Sequence, residues 1–535
     1  MSRPLATELG SHLNLASGFH RQMLAGPERP ALWIEGVAFT YAELGDCAAR
    51  IAGWLNAAGI GRESRVGVLA SRSKLAYAGI LGSCWSGATY VPLHPRHPEA
   101  RLIDLVRRGE LSALIVDPSG ASALSEALLE VAPRHLLVSD NASSSDSRHA
   151  RLGEQELSSI PPVERPMPVS AADLAYLMFT SGTTGVPKGV MVTTTNVAHC
   201  MSAMQSRYRI EPSDRCSQFF ELTFDLSVFD LFMTWNGGAC LHSISESERM
   251  APAKFIRERA LTTWFAVPSA IAFMARVKSL APNSLPSLRL SLFCGEALPA
   301  ESAQLWRQAA PQSVLENLYG PTEATIACLV EPCSETIHVT KDRGIVAIGS
   351  ALHGMRAAIV DEQRQFLPPG SSGELVLSGE QVAAGYWRDA ELSANRFVVL
   401  DHPQWGKQTF YFTHDVATLD GDGRFHFQGR LDNQVKIHGH RVELEEIDAH
   451  LQAITGAAAA AIAWPVVHGS ADGVVAFLTA KHMSADEVKQ RLRMTVPWYM
   501  VPRKIVNLDA LPLTPNGKID RNALREMLQG AQDVA

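Results

Sequence analysis

"DLAYLMFTSGTTGVPKG", Asp173 to Gly189, joins an apolar run to a turn made of small residues. The run has the length and content of a buried strand. The turn packs four hydroxyls, three glycines and a lysine into the ten residues from Thr180 to Gly189. Hydroxyls and exposed backbone N–H groups suit a polyphosphate, and glycine lets the backbone approach it closely. The Walker pattern G-x-x-x-x-G-K-[ST] does not fit. Counted from Gly182, Pro187 stands where the second glycine belongs, and Gly189 follows Lys188. A strand ending in such a loop places it at the carboxyl edge of an open α/β sheet, where these folds bind ligands.

Upstream, "SRVGVLA" (Ser64 to Ala70) reads as a buried strand, "KLAYAGILGSCWSGA" as a helix and "TYVPL" as another strand. That alternation predicts parallel sheet covered by helices. The polar segment Ser139 to Pro166 cannot bury a core and reads as an exposed loop. Beyond Asp432 the style changes. "GRLDNQVKIHGHRVELEEIDAHL" predicts a turn, two strands around a glycine, then an acid-led helix, and "SADEVKQRLRMTV" predicts a helix capped by Ser484. A small α+β unit, 432–535, is therefore expected after a core of 1–431.

With 535 residues, at least two domains are expected. A hydrophobic share of 46% and a charged share of 19% suit a soluble enzyme, and the net charge of −7 argues against nucleic acid as the partner. The N-terminus lacks the apolar core of a signal peptide, and the run Gly456 to Val467 is too short to span a bilayer. The eight cysteines form no C-x-x-C pair, which argues against structural zinc and for reduced thiols in a cytosol.

Several separated motifs agree with the opening loop: "FDLS" (Phe224 to Ser227), "YGPTE" (Tyr319 to Glu323), "GELVLSGEQVAAGYW" (Gly373 to Trp387), "YFTHDV" (Tyr411 to Val416), "GRLDNQVKIHGHRVELEEID" (Gly429 to Asp448) and "NGKID" (Asn516 to Asp520). In this order and spacing the chain resembles the adenylate-forming superfamily, most closely the amino-acid adenylation domains of nonribosomal peptide synthetases. The resemblance implies a large core of doubly wound sheets with a small β-barrel-like subdomain, and a smaller, mobile α+β domain. It implies two half-reactions: a carboxylate attacks the α-phosphate of ATP and expels pyrophosphate, then a thiol takes the acyl group. Bringing anions together in this way calls for cations, oriented donors and positioning.

By the same resemblance, Thr180, Ser181, Gly182, Thr183 and Thr184 hold the β- and γ-phosphates, with Lys188 as a nearby charge. Tyr319, followed by Gly320, stacks on adenine, while Asn317 and the backbone of Gly295 and Glu296 read its edge. Thr322 serves the α-phosphate and Glu323 is a hard ligand for Mg2+. Asp415 accepts the ribose hydroxyls, with Arg430 and Lys436 beside the sugar. Lys518 reaches between substrate carboxylate and α-phosphate, then swings away about Asp432 as Gly439 makes room for a phosphopantetheine arm.

Asp225 pairs with the α-ammonium of an amino acid in such domains, since a buried carboxylate needs a partner. The other pocket positions matched are Leu226, Phe229, Ser269, Leu292, Cys294, Leu318, Ile326 and Ala327. Phe229, Leu292 and Leu318 are expected to limit depth. A small apolar amino acid follows, proline first and alanine next, with cysteine, serine, glycine and valine also open. Where the family pattern has arginine and glycine, this chain has Phe412 and His414. His414, His438 and His440 read as surface or loop histidines, because no ligand cluster accompanies them. The chain ends soon after "NGKIDRNALREML", from which a free-standing ligase serving a carrier protein in trans is expected. Alternatives are a CoA ligase of the same fold, a D-alanine–carrier-protein ligase, or a catalytically silent homologue that acts as a binding partner.

Overall fold

The computed structural model describes residues 13–139, 148–182, 186–467, 470–480, 482–514 and 518–532. Thr183 and Thr184 of the opening loop, and Asn516 of "NGKID", lie outside them.

Strand Arg65–Leu69 is followed by helix Lys74–Trp85, whose N-cap Ser73 accepts from the N–H of Ala76. Every residue from Leu75 to Trp85 is buried, as expected for a helix covered on all sides. The strand lies in a seven-stranded sheet in the order Ala150–Gly153, His135–Val138, Ala113–Val116, Arg65–Leu69, Thr89–Leu93, Leu174–Thr180, Lys188–Thr193. All neighbours are parallel except the last pair, so the opening stretch joins a strand to an antiparallel return, Lys188–Thr193. Ala150–Gly153 corrects one expectation: part of the polar segment adds an edge strand beside His135–Val138. A strand with one free side needs less apolar content than a central one.

A nine-stranded sheet supplies the second layer. Its centre comprises Arg215–Gln218, Thr263–Ala266, Leu290–Phe293 and Val314–Tyr319, all parallel. One apolar cluster runs from Phe19 and Tyr41 through Trp85 to Trp264 and Trp306, joining both sheets and the helices between them. A third, antiparallel sheet is built around the long strand Gly406–Leu419, which pairs with Ser372–Gly379, Phe397–His402 and Phe425–Arg430.

The C-terminal unit has a separate core, with Ile437, Val442, Leu451, Ala476 and Val488 among its members. Hairpin Gln434–Ile437 with His440–Glu443 leads into helix Leu444–Thr455, whose first turn holds Glu445 and Glu446. Ser484 caps helix Ala485–Arg493 through the N–H of Glu487.

Candidate active site

Strands from both large sheets end at one place. Thr180 closes Leu174–Thr180, Cys294 and Gly295 follow Leu290–Phe293, and Tyr319 closes Val314–Tyr319. Their carboxyl ends border a cavity of about 120 Å³. Thr180, Ser181, Asp225, Tyr319, Thr322 and Asp415 line it, together with Arg430, Lys436, Gly439 and Arg441. Residues spread over 260 positions of sequence thus meet because the sheet ends converge and the C-terminal hairpin docks upon them.

Asp225 stands at the start of helix Leu226–Asn236 but makes no capping bond. It is 7% exposed, and its carboxylate accepts the N–H of Ile326 at 3.2 Å. Burial pushes this carboxyl up to about 6, against hydrogen bonds from Ile326 and Thr322. The donor is held at a cost, since Thr325 and Ile326 have φ of 54° and 71°, a region unfavourable to β-branched residues. Gln381 braces this turn: its amide donates to Ala327 O at 2.8 Å and its backbone carbonyl accepts from Thr325 Oγ1 at 2.6 Å. Gln381 was not singled out from the sequence, although it stands inside the quoted "GELVLSGEQVAAGYW".

Across the cavity, the hydroxyl of Tyr319 and the guanidinium of Arg430 both donate to Asp415. Asp415 and Arg430 are ladder partners, so the sheet itself sets their contact. Arg430 Nε then reaches Asp432 at 2.6 Å, and His414 Nδ1 lies 3.1 Å from the other oxygen of Asp432. Burial would raise the Asp432 carboxyl, but His414 and Arg430 hold it well below the usual range. An adjoining hollow shares Gly295, Tyr319, Gly320, Asp415 and Lys436, and adds Glu296, Asn317 and Leu318. Asn317 donates to Ala347 O at 2.9 Å, and its Oδ1 is buried without a partner among the described residues.

Beside the turn that follows Leu174–Thr180, Thr180 Oγ1 is likewise buried and unpartnered among the described residues. Gly182 is required sterically, because a Cβ there would sit 2.0 Å from the carbonyl oxygen of Val186. Glu323 is fully buried. It accepts from Arg441 Nη1 at 2.8 Å and Tyr386 OH at 2.7 Å, with Lys188 Nζ at 3.6 Å. Burial opposes its charge, yet Arg441 and Lys188 hold the carboxyl far below its ordinary range. Lys188 is pushed down to about 8, by burial first and then by Arg441. The guanidinium of Arg441, inside the quoted "KIHGHRVE", is a site residue that the sequence reading passed over.

The hairpin turn at Gly439 has φ 83°, and a Cβ there would stand 2.7 Å from Val267 Cγ1. Gly439, Phe224 and Leu226 also line a passage of about 560 Å³ beside Ser269, His440 and Trp498. Besides the Arg441–Glu323 pair, the hairpin's unit is fastened to the core by Arg101 to Glu446 at 2.7 Å, which is buried, and by Ser181 Oγ donating to Arg441 O at 2.8 Å. Lys518 is exposed and does not line the Asp225 cavity.

The structure does not bring all the matched pocket positions together. Asp225, Leu226 and Cys294 line the cavity, whereas Phe229 and Leu292 border a separate void of about 10 Å³. Ser269 faces the passage, and Leu318 lies one residue out of phase with Tyr319 on its strand. Ile326 and Ala327 are buried behind Asp225. His440 corrects another expectation: it is 7% exposed, stacked on Tyr499 at 3.7 Å between ring centroids. Among the described residues, no group of three or more His, Cys, Asp or Glu could hold a metal, and no helix is long and apolar enough to cross a membrane.

The family model described as AMP-binding enzyme matches residues 19–387, and its C-terminal domain matches 443–518. The chain belongs to the AMP-binding enzyme family. Within that family it is an adenylation domain of the nonribosomal peptide synthetase type. It is 33% identical over 524 residues to tyrocidine synthase 3 of Brevibacillus parabrevis, covering 96% of this chain and 8% of that synthetase. Among solved structures, the Vibrio cholerae adenylation domain AlmE, in complex with glycyl-adenosine-5'-phosphate, has a TM-score of 0.85. It is 31% identical, with 97% of this chain and 98% of that one covered. IdnL7 is 34% identical with a TM-score of 0.71, covering 97% and 99%.

Proposed function

We propose that this AMP-binding enzyme activates a small amino acid as its adenylate and passes it to the phosphopantetheine thiol of a separate carrier protein. The observation that supports the reading most is Asp225, a buried carboxylate open to the same cavity as Tyr319 and Ser181. An ammonium is the partner that offsets its burial. A cavity of only about 120 Å³ favours a short side chain. Proline and alanine are the first candidates, and glycine joins them because AlmE was solved with glycyl-adenosine-5'-phosphate.

In this reading Asp225 orients the amino acid so that its carboxylate oxygen attacks the α-phosphorus and pyrophosphate leaves. Thr180, Ser181 and Lys188 hold the departing phosphates, and Thr322 the α-phosphate. Tyr319, Asn317, Gly295 and Glu296 hold adenine, while Asp415, Arg430 and Lys436 hold ribose. Glu323, kept ionised, suits a hard cation; it would hold Mg2+, which supplies charge neutralisation to the phosphates. Arg441 occupies one of its oxygens here, so cation and guanidinium compete for the carboxylate. In the second step the thiol enters past Gly439, its sulfur bonds to the carbonyl carbon, and AMP departs.

Amino-acid-dependent exchange of pyrophosphate into ATP, measured across the standard amino acids with fatty and aromatic acids alongside, tests the reading. Exchange with one or a few small amino acids is expected. Exchange only with an acid lacking an ammonium would overturn it in favour of a CoA ligase.

A further inference from the structure

The backbone that donates to Asp225 has an unusual shape. Ala327 N–H donates to Thr325 O at 2.9 Å, which closes a three-residue turn around Ile326. With a φ of 71° at its centre, this is the rarer, strained form of γ-turn, and its central residue is β-branched. In a trans peptide the C=O and N–H point in opposite directions. The peptide joining Thr325 to Ile326 therefore turns its carbonyl away from Asp225 as its N–H meets the carboxylate at 3.2 Å. Whatever grips that carbonyl aims that N–H.

Gln381 grips it. Its side chain is fully buried, and one end of the amide lies among three carbonyl oxygens: Ala327 at 2.8 Å, Thr325 at 3.3 Å and Ala324 at 3.4 Å. Only the NH2 end can face three acceptors, so chemistry orients the amide. The Gln381 backbone carbonyl accepts from Thr325 Oγ1 at 2.6 Å and ties the same turn a second time. Gln381 is itself pinned on both sides. Asn196 Nδ2 donates to Glu380 O at 2.7 Å and to Val382 O at 3.0 Å. Asn196 Oδ1 in turn accepts from the N–H and hydroxyl of Thr193, where strand Lys188–Thr193 ends. Gln381, Thr325 and Asn196 do not line the Asp225 cavity, so they act on it through the turn. A strained turn persists only where its surroundings over-determine it, and these contacts are those surroundings.

We propose that Gln381 is a positioning residue for amino-acid recognition: its grip on the γ-turn keeps the Ile326 N–H on Asp225 and so fixes the carboxylate that meets the substrate's ammonium. The inference rests on the adenylation reading for the role of Asp225. Without the amide the turn relaxes toward negative φ, the Ile326 N–H swings away, and Asp225 loses a donor that sets its orientation. The Asp415–Arg430 pair, on another sheet, is untouched.

The test uses the full chain. Gln381→Met keeps the length of the side chain and removes its donor. In pyrophosphate exchange the KM for amino acid is expected to rise roughly tenfold. The KM for ATP should stay within about twofold. Thr325→Val keeps the shape of the second tie without its hydroxyl and should raise the amino-acid KM by about threefold, whereas Thr325→Ser keeps the hydroxyl and the parental value. The threonine pair carries the test if Gln381→Met does not fold. Amide hydrogen exchange of the unliganded protein supplies a readout that needs no substrate. Residues 319–328 should exchange faster in Gln381→Met and Thr325→Val, and at the parental rate in Thr325→Ser. An unchanged amino-acid KM in the folded variants would overturn the proposal. So would a parallel rise for ATP, since the clasp would then only support the fold around the site. Thr325→Ser behaving like Thr325→Val would count equally against it. Faster exchange at 319–328, in a protein whose parent activates only acids lacking an ammonium, would confirm the clasp but overturn the adenylation reading and the role in amino-acid recognition with it.

Discussion

The hairpin Gln434–Glu443 and the segment around Lys518 belong to one small C-terminal unit, yet they have opposite surroundings. The hairpin is inside the site: Lys436, Gly439 and Arg441 line the Asp225 cavity, and Arg441 grips a buried carboxylate. Lys518 lies in solvent, with its N–H donated at 3.2 Å to Thr514 Oγ1. A rigid unit of this size can present only one of these faces to the cavity at a time. On the proposed two-step reaction, the arrangement seen suits the transfer to a thiol, and the other face would serve adenylate formation after rotation.

The largest effect expected is from Lys518→Ala. If its face serves only adenylate formation, that half-reaction should fall by about 10²–10³-fold. Thioester formation from supplied adenylate should stay near normal. Equal losses in both steps, measured by single-turnover assays, would end the division of labour. Asp225→Asn comes next. It removes the charge that offsets a desolvated ammonium, so the amino-acid KM should rise by roughly 10²-fold while the ATP KM holds. Gly439→Ala is the counterpart of Lys518→Ala with a smaller magnitude. Its Cβ would meet Val267, and the positive φ costs roughly 1–2 kcal/mol, so the docked arrangement should lose about tenfold in population. Thioester formation should slow by that factor and adenylate formation should not.

The sequence exposed the chemistry of the site better than its mechanics. Ser181 stood out within a turn of small donors, while Asp225, Tyr319 and Asp415 stood out through motifs that match the adenylation-domain pattern, and the fold brings all four to one cavity. The alternation of apolar runs with helices likewise announced the parallel sheets. Arg441 did not stand out, since an arginine on a short strand ordinarily faces water. Only the docking of two distant units makes it a partner of Glu323. Gln381 was silent for a related reason: its importance comes from two strained residues more than fifty positions away. The pocket positions that failed to converge, Leu318 and Ser269 among them, share another cause. Strand phase and the choice between adjoining hollows are decided by a residue or two, below what a motif specifies.

A pH dependence, modest near neutrality, again separates the two faces. Burial raises the Asp225 carboxyl to about 6 with no substrate bound. Only its ionised form can pair with an ammonium, so binding weakens as pH falls through that value. kcat/KM for the amino acid in adenylate formation should therefore drop by about tenfold per unit below pH 6 and level off above it. Asp225→Asn should remove this limb of the profile. Thioester formation from preformed adenylate already has its ammonium seated against Asp225, which holds the carboxylate ionised to lower pH. Its acid limb should accordingly be displaced downward relative to the first step. Two coincident profiles would place the controlling group elsewhere, while separated profiles that merge in Asp225→Asn would identify the carboxylate directly.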